Sequence, residues 1–444
     1  MDLEKRILQG ISEPTIPKRE FLLTEFGAIA DGKCDCTDAF EKAMKSVSHF
    51  GGGRITVPAG EYLTGPIHIK SNIELHLQKG AVVRFIQDPE RYLPVVLTRF
   101  EGIELYNYSP FIYANGQQNI AITGEGLLDG QSDNKHWWYY KGKNEFGWHE
   151  GLPEQSSDVK ELLRMAREDL SVENRIFGRG HYLRPNFIQF YNCKNVMIEG
   201  IKLIRSPMWC IHPVMCTNVT IREVTIQSQG PNNDGINPES CNYVLIENCH
   251  FDTGDDSIAI KSGKNEDGRR INMPSEYILI KNNVVHSQQS HGGVVIGSEM
   301  SGGVRNVVAR KNLFINLERA LRIKTNTARG GMIENIFFID NVALNVSQEA
   351  VSIDLTYDNE VGNYPPILRD IHVKGFKCVN AENGIVVRAN ENCKVEKITL
   401  EDSHFVSVKI PVHVEKIQQM VIRKSTFNGL SINHFVASGS LSWA

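Results

Sequence analysis

One shape recurs along the second half of this chain. A short strand-like run of alternating apolar and polar residues is followed by a turn, often at Asn, and then by another short run. NVMIEGIKLI from Asn195, NVTIREVTIQ from Asn218, YVLIENCHF from Tyr243, YILIKNNVV from Tyr277, NVVARKNLFI from Asn306, IENIFFIDNVAL from Ile333, LRDIHVKGFKCV from Leu368 and KVEKITLEDSHF from Lys394 all have it. Val196, Val219 and Val244 hold equivalent places at intervals of 23 and 25 residues (219 − 196 and 244 − 219). Asn283, Asn312 and Asn341 recur at 29 (312 − 283 and 341 − 312). Repeats of this length cannot bury a core alone, so they must stack. Constant strands joined by unequal turns fit a parallel β-helix, in which insertions go into the turns and equivalent Asn side chains can form a ladder. A β-propeller would need a longer unit of four antiparallel strands.

The first half carries the same signature less regularly. Ile55 to about Gly130 alternates β-rich runs with turns and has no long amphipathic helix. Before it, Thr37 reads as the N-cap of a helix whose apolar face is Phe40, Ala43, Met44 and Val47, stopped by Gly51-Gly52-Gly53. Solenoid ends expose apolar rungs, so about 21–54 is the expected N-terminal cap. About 132–185 breaks the pattern with Trp137, Trp138, Trp148 and a helical stretch near Val159 to Glu168. A long insertion in a repeat protein sits on one face and often carries function. No Pro- or Ser-rich linker divides the chain, so residues 1–444 are expected to form one domain.

Within the repeats, Gly230 to Gly263 concentrates acidic residues. Asp234 and the Asp255-Asp256 pair are 21 residues apart (255 − 234), about one coil, which would bring their carboxylates together. Convergent carboxylates spread their pKa values, leaving one as acid and another as base. Taken singly, Asp in these Gly- and Asn-rich contexts is a turn former. His291 lies in Ser290-His291-Gly292-Gly293 before an apolar strand. Arg322 and Lys324 alternate on another strand and so share a face. Alone, such a His or cation pair reads as solvated surface. In succession, one or two coils apart, these residues could form a single column.

That order of motifs resembles the polygalacturonase family of glycoside hydrolases. The family's Asn-Thr-Asp motif is matched by Asn232-Asn233-Asp234, its Gly-Asp-Asp by Gly254-Asp255-Asp256, its Gly-His-Gly by Ser290-His291-Gly292 and its Arg-Ile-Lys by Arg322-Ile323-Lys324. Its downstream tyrosine looks like Tyr357. The opening from Phe26 to Ile67 is similar as well. The resemblance implies an all-β fold, a single-stranded right-handed parallel β-helix, and hydrolysis of galacturonan with inversion and without metal or cofactor. It implies Asp255 as general acid, Asp234 and Asp256 holding and deprotonating the water, and His291 tuning the acid. It implies Arg322, Lys324 and Tyr357 at the substrate carboxylate, with Lys261 a weaker candidate set against an ordinary solvated lysine. Adjacent rungs suggest a carboxylate separation shorter than the 6.5–9.5 Å usual for inverting enzymes, and inversion is expected on the family's pattern. The insertion, with Arg179, His181 and Arg184, is expected to block one end of the groove and make the enzyme exo-acting; the competing reading is that its Trp residues only pack the loop.

Charge and cysteine usage bound the remaining possibilities. A net charge of −4 argues against non-specific nucleic-acid binding, so any field that accepts a polyanion must be local. The nine cysteines form no C-x-x-C pair, which argues against structural zinc. MDLEKRILQGISEP lacks the apolar core of a signal peptide and no apolar run reaches membrane-spanning length, so the expected location is cytoplasmic. Competing functions are a pectate lyase-like β-eliminase using calcium, a rhamnogalacturonan hydrolase, and a non-enzymatic glycan-binding β-helix.

Overall fold

The computed structural model describes residues 3–443. The chain divides into two compact units, Gly10–Pro238, and Glu239 onward together with the N-terminal residues up to Gln9. Both units are built as parallel β-helix.

In the first unit three rows of parallel strands stack. One row runs Gly53–Val57, Ile73–Leu77, Gln118–Gly124, Lys194–Glu199, Thr217–Arg222, with Val196 in register with Val219 as their spacing predicts. A second runs from Gly60–Thr64 through Ala81–Phe85, Leu127–Asp129 and Lys202–Ile204 to Thr225–Ser228. The third joins Ile67–His68, Ile112–Asn115, Ile188–Tyr191 and Ile211–Val214. Inward β-branched and leucine side chains such as Ile55, Leu75, Ile122, Ile198 and Ile221 are fully buried, the dominant stabilising term in such a stack. Helix Thr37–His49 buries Ala39, Phe40, Ala43, Met44 and Val47. Its N-terminus differs from expectation. Cys36 holds the N-cap position and makes no side-chain cap bond, while Asp35 before it accepts the Thr37 N–H at 2.9 Å. Two cap-forming side chains stand two residues apart, and the one outside the helix takes the bond.

The second unit repeats the plan. One row runs Asn242–Glu247, Ser275–Lys281, Val304–Arg310, Met332–Ile339, Ile367–Lys374, Lys394–Glu401. Another stacks Ile258–Ile260, Val294–Gly297, the end of Leu313–Lys324 and the end of Val342–Asp354. The last strand, Leu430–Trp443, is antiparallel to His404–Phe427. The anticipated asparagine ladder forms at one corner. Asn283 donates its N–H and Nδ2 to Asn312 Oδ1, both at 3.0 Å, and Asn312 repeats this onto Asn341 at 3.0 and 2.9 Å. A further ladder, Asn380 to Asn345 to Asn316, uses residues at φ between 54 and 64°, a region asparagine tolerates better than most residues. No described helix is long and apolar enough to cross a membrane.

Candidate active site

The strand register of the second unit explains why remote residues meet. Ile258 pairs with Val294 and Val294 with Leu321, so the turns entering these strands lie one above another. Gly254-Asp255-Asp256 enters the first strand, His291 enters the second, and Arg322 and Lys324 sit on the third. The turns are tied directly: Ser257 N–H donates to Gly292 O at 2.8 Å and Gly293 N–H to Arg319 O at 2.9 Å. Gly292 has a local reason to be glycine. A Cβ there would lie 2.4 Å from Val295 Cγ2 and 3.1 Å from Asp256 Oδ1. Ser290, in place of the family's first glycine, is buried and satisfied, pairing with Ser257 Oγ at 3.0 Å and donating to Gly292 O at 3.1 Å.

His291 Nδ1 lies 3.1 Å from Asp255 Oδ1, and Asp255 also accepts the Asp256 N–H at 2.9 Å. Burial pushes the Asp255 carboxyl up, but the His291 hydrogen bond and the charges of His291 and Lys324 outweigh it and hold Asp255 well below the usual carboxylate range. The same hydrogen bond raises His291 to about 9 against the opposing effect of burial. The two groups therefore hold one proton between them through the neutral range. Asp256 is buried, 2.7 Å from Lys324 Nζ and 3.8 Å from Arg322 Nη1. Burial disfavours the Lys324 charge, but Asp256 more than compensates and keeps its pKa raised. Tyr357 covers both cations, its ring centre 5.1 Å from Lys324 Nζ and 5.4 Å from the Arg322 guanidinium carbon.

Lys261 is neither a solvated lysine nor an open ligand for substrate. It is buried with Nζ 2.9 Å from Glu299, a residue absent from the sequence-based set. Burial pushes Glu299 up, but Lys261, Lys264 and Arg329 hold it far below the usual range. Glu299 carries no sequence signal; the strand ending two residues before it stacks in register on the one preceding Lys261, and that brings the two together.

Asp234 belongs to the first unit and is buried there, accepting from Asn237 Nδ2 at 2.8 Å while its carbonyl takes the Cys210 N–H at 2.8 Å. Asn233, where the family has Thr, pins this turn: its Oδ1 accepts from Ser228 Oγ at 2.6 Å and Gly230 N–H at 3.0 Å. Two insertion residues brace the same turn. Arg184 is buried, donating to Pro207 O at 2.9 Å, Pro231 O at 2.6 Å and Asn232 Oδ1 at 2.8 Å. Trp138 packs so closely that a Cβ on Gly230 would meet its indole at 2.3 Å. Arg184, expected among the substrate ligands, thus spends its guanidinium on the Asp234 turn and on Gln155. His181 pairs with Asp158 at 2.8 Å, and Arg179 pairs with Glu90 on the surface. Trp137 is buried against Tyr92, Tyr108, Phe111 and Tyr140, which favours the packing reading for that residue. The insertion helix is Ser156–Arg167, close to the expected stretch.

The chain is similar in sequence and in fold to known proteins. Residues 169–366 match the model of glycosyl hydrolases family 28. The crystal structure of a hyperthermoactive exopolygalacturonase from Thermotoga maritima is similar at 56% identity and a TM-score of 0.98, over 100% of this chain and 99% of that one. A probable polygalacturonase of Vitis vinifera is 32% identical over 346 residues, 75% of this chain. An exo-poly-alpha-D-galacturonosidase of Dickeya chrysanthemi is 27% identical over 368 residues, 78% of this chain. The chain spans only 62% and 58% of the lengths of these last two relatives.

Proposed function

The chain belongs to glycosyl hydrolases family 28, and on that premise we propose that it is an exo-acting polygalacturonase, hydrolysing α-1,4 bonds of oligogalacturonate from a chain end with inversion. One observation carries the reading: a proton-sharing Asp255–His291 pair stands on adjacent rungs to a buried cation pair, Arg322 and Lys324. A uronic acid polymer offers a glycosidic oxygen needing a proton and, on the same sugar, a carboxylate needing a cation. Arg322 presents a fork and Lys324 a point charge, suited to a planar carboxylate in a dry site.

In this reading the single proton of the pair passes from His291 to Asp255 and from Asp255 to the leaving oxygen, and solvent reprotonates the pair after turnover. Asp256 and Asp234 activate the water, the role of Asp234 resting on its motif. A substrate carboxylate docking on Lys324 and Arg322 shares cations that otherwise serve Asp256. Neutralising Lys324 also removes one of the charges that hold Asp255 ionised, so substrate binding favours the protonated acid. Tyr357 lines the carboxylate subsite. Lys261 and Glu299 form a mutually neutral pair close in register to it, and Arg184 keeps the Asp234 turn in place. Exo action is supported by the names of the Thermotoga and Dickeya relatives, and the insertion is the segment assigned to close the groove. A cytoplasmic location belongs to the same proposal, and cell fractionation tests it.

Product analysis on defined oligogalacturonides is the test. A single small uronide from the first minutes, lost in Asp255→Asn, supports the proposal; mixed oligomers refute exo action. A β-anomer as first product in a proton NMR time course supports inversion, and an α-anomer refutes it. An unsaturated, ultraviolet-absorbing product would indicate elimination instead of hydrolysis.

A further inference from the structure

Three excursions leave the strands of the second unit that bear the site: residues 261–274, 325–331 and 355–366. Tyr357 heads the third. Its segment has only the short turn Tyr357–Asn359, with Asp358 at a φ of 58°. No strand ladder holds the tyrosine over Arg322 and Lys324, so other contacts must.

The Tyr357 N–H donates to Thr325 O at 3.1 Å, and two side chains of that neighbouring excursion add to this tie. Asn326 is buried. Its Nδ2 donates to Tyr357 O at 3.0 Å, and its Oδ1 accepts the N–H groups of Ala328 and Arg329, each at 3.0 Å. Arg329 is also buried; its Nη1 donates to Asn265 Oδ1 at 3.0 Å and pairs with Glu360, three residues beyond Tyr357. One guanidinium thus joins all three excursions. Arg269 completes the corner, donating to Ala328 O at 2.9 Å and Arg329 O at 3.1 Å with its guanidinium 3.6 Å over the Tyr364 ring. Burying a guanidinium is costly, and Arg329 Nε has no hydrogen-bond partner among the described residues. A plain surface loop does not require that cost.

Building on the hydrolase reading above, we infer that Arg329 and Asn326 are positioning residues that fix the Tyr357 ring over the Arg322–Lys324 pair and so set the affinity of the site for the substrate's carboxylate-bearing sugar. With the corner loosened, the ring leaves the cations, and they regain water that substrate must then displace. Ground and transition states lose this contact alike, so KM rises while kcat holds.

The experiment is steady-state kinetics on trigalacturonate with Arg329→Lys and Glu360→Gln, each made alone and in a Tyr357→Ala background. Lysine keeps the charge but lacks the fork. Glu360 is 45% exposed, so its variant tests the tie even where Arg329→Lys fails to fold. We expect KM to rise about fivefold or more with kcat within about twofold, and the effect to vanish once Tyr357 is gone. An unchanged KM, a fall in kcat alone, or an undiminished effect in the Tyr357→Ala background overturns the inference. An intact chain inactive on every galacturonide refutes the hydrolase reading and the inference with it; an active one with independent effects refutes the inference alone.

Discussion

Replacing Lys324 by methionine removes one of two cations that face the buried Asp256 carboxylate while keeping the bulk of the side chain. At an effective dielectric of about 20, unit charges at the Lys324–Asp256 separation of 2.7 Å attract by about 6 kcal/mol, and at the Arg322 separation of 3.8 Å by about 4 kcal/mol. Those gross attractions are offset by the desolvation of three charges. Breaking a buried pair from one side typically costs about 3–5 kcal/mol, because the remaining charge has no partner. Here Arg322 stays, and its repulsion with Lys324 is relieved, so the low end applies, about 3 kcal/mol. Among the described residues neither Asp256 oxygen has a hydrogen bond to fall back on. Adding Asp256→Asn removes the stranded charge and should recover about 2 kcal/mol of the loss. Denaturant unfolding of wild type, both single variants and the double variant at neutral pH measures this cycle. A cost below about 1 kcal/mol for Lys324→Met, or a double variant as unstable as the sum of the singles, would refute the claim that the charges form one balanced buried set.

Three further outcomes follow from the geometry. His291, raised to about 9, keeps the proton of its pair with Asp255 below that pH and loses it above; its contribution to stability is full below its unfolded value of about 6.5 and gone once pH passes about 9. The alkaline limb of kcat/KM should accordingly lie near 9 and move to lower pH in His291→Ala, where Asp255 titrates without its partner; an unmoved limb contradicts the assignment. Asn312→Ala deletes an acceptor used twice by Asn283, leaving buried donors unmet, and should cost about 2–3 kcal/mol in denaturant unfolding. Gly292→Ala forces a methyl against Val295 and toward Asp256 and should lower kcat by about tenfold or more, read by activity beside a circular dichroism spectrum that stays unchanged.

Much of this architecture was legible because its constraints are periodic. Asn283, Asn312 and Asn341 recur at equal intervals, and a ladder of amides requires equal phase, so the spacing alone pointed to the contact. The alternation Arg322-Ile323-Lys324 likewise placed two cations on one face, where both meet Asp256. Less was legible where a side chain's meaning comes from what approaches it across coils. Arg184 lies in an aromatic-bearing insertion outside the repeat pattern, and its burial depends on carbonyls 23 and 47 residues away. Glu299 and Asn326 belong to no motif with chemistry of its own; their roles appear only when Lys261 and Tyr357 are folded against them. Thr37 was read as the cap because its own side-chain chemistry fits that role, while Asp35, two residues earlier, offers the same chemistry and takes the bond.

The asparagine corner also bears on how such a protein can change. Each amide interrogates only the next one along the axis and is indifferent to the length of chain that loops out before the winding returns. Residue intervals of 29 and 35 both close equally good amide contacts in the Asn316, Asn345, Asn380 series. Excursions can therefore lengthen, shorten or be exchanged between relatives without rephasing the scaffold, so new specificities can be grafted at one corner while another keeps time.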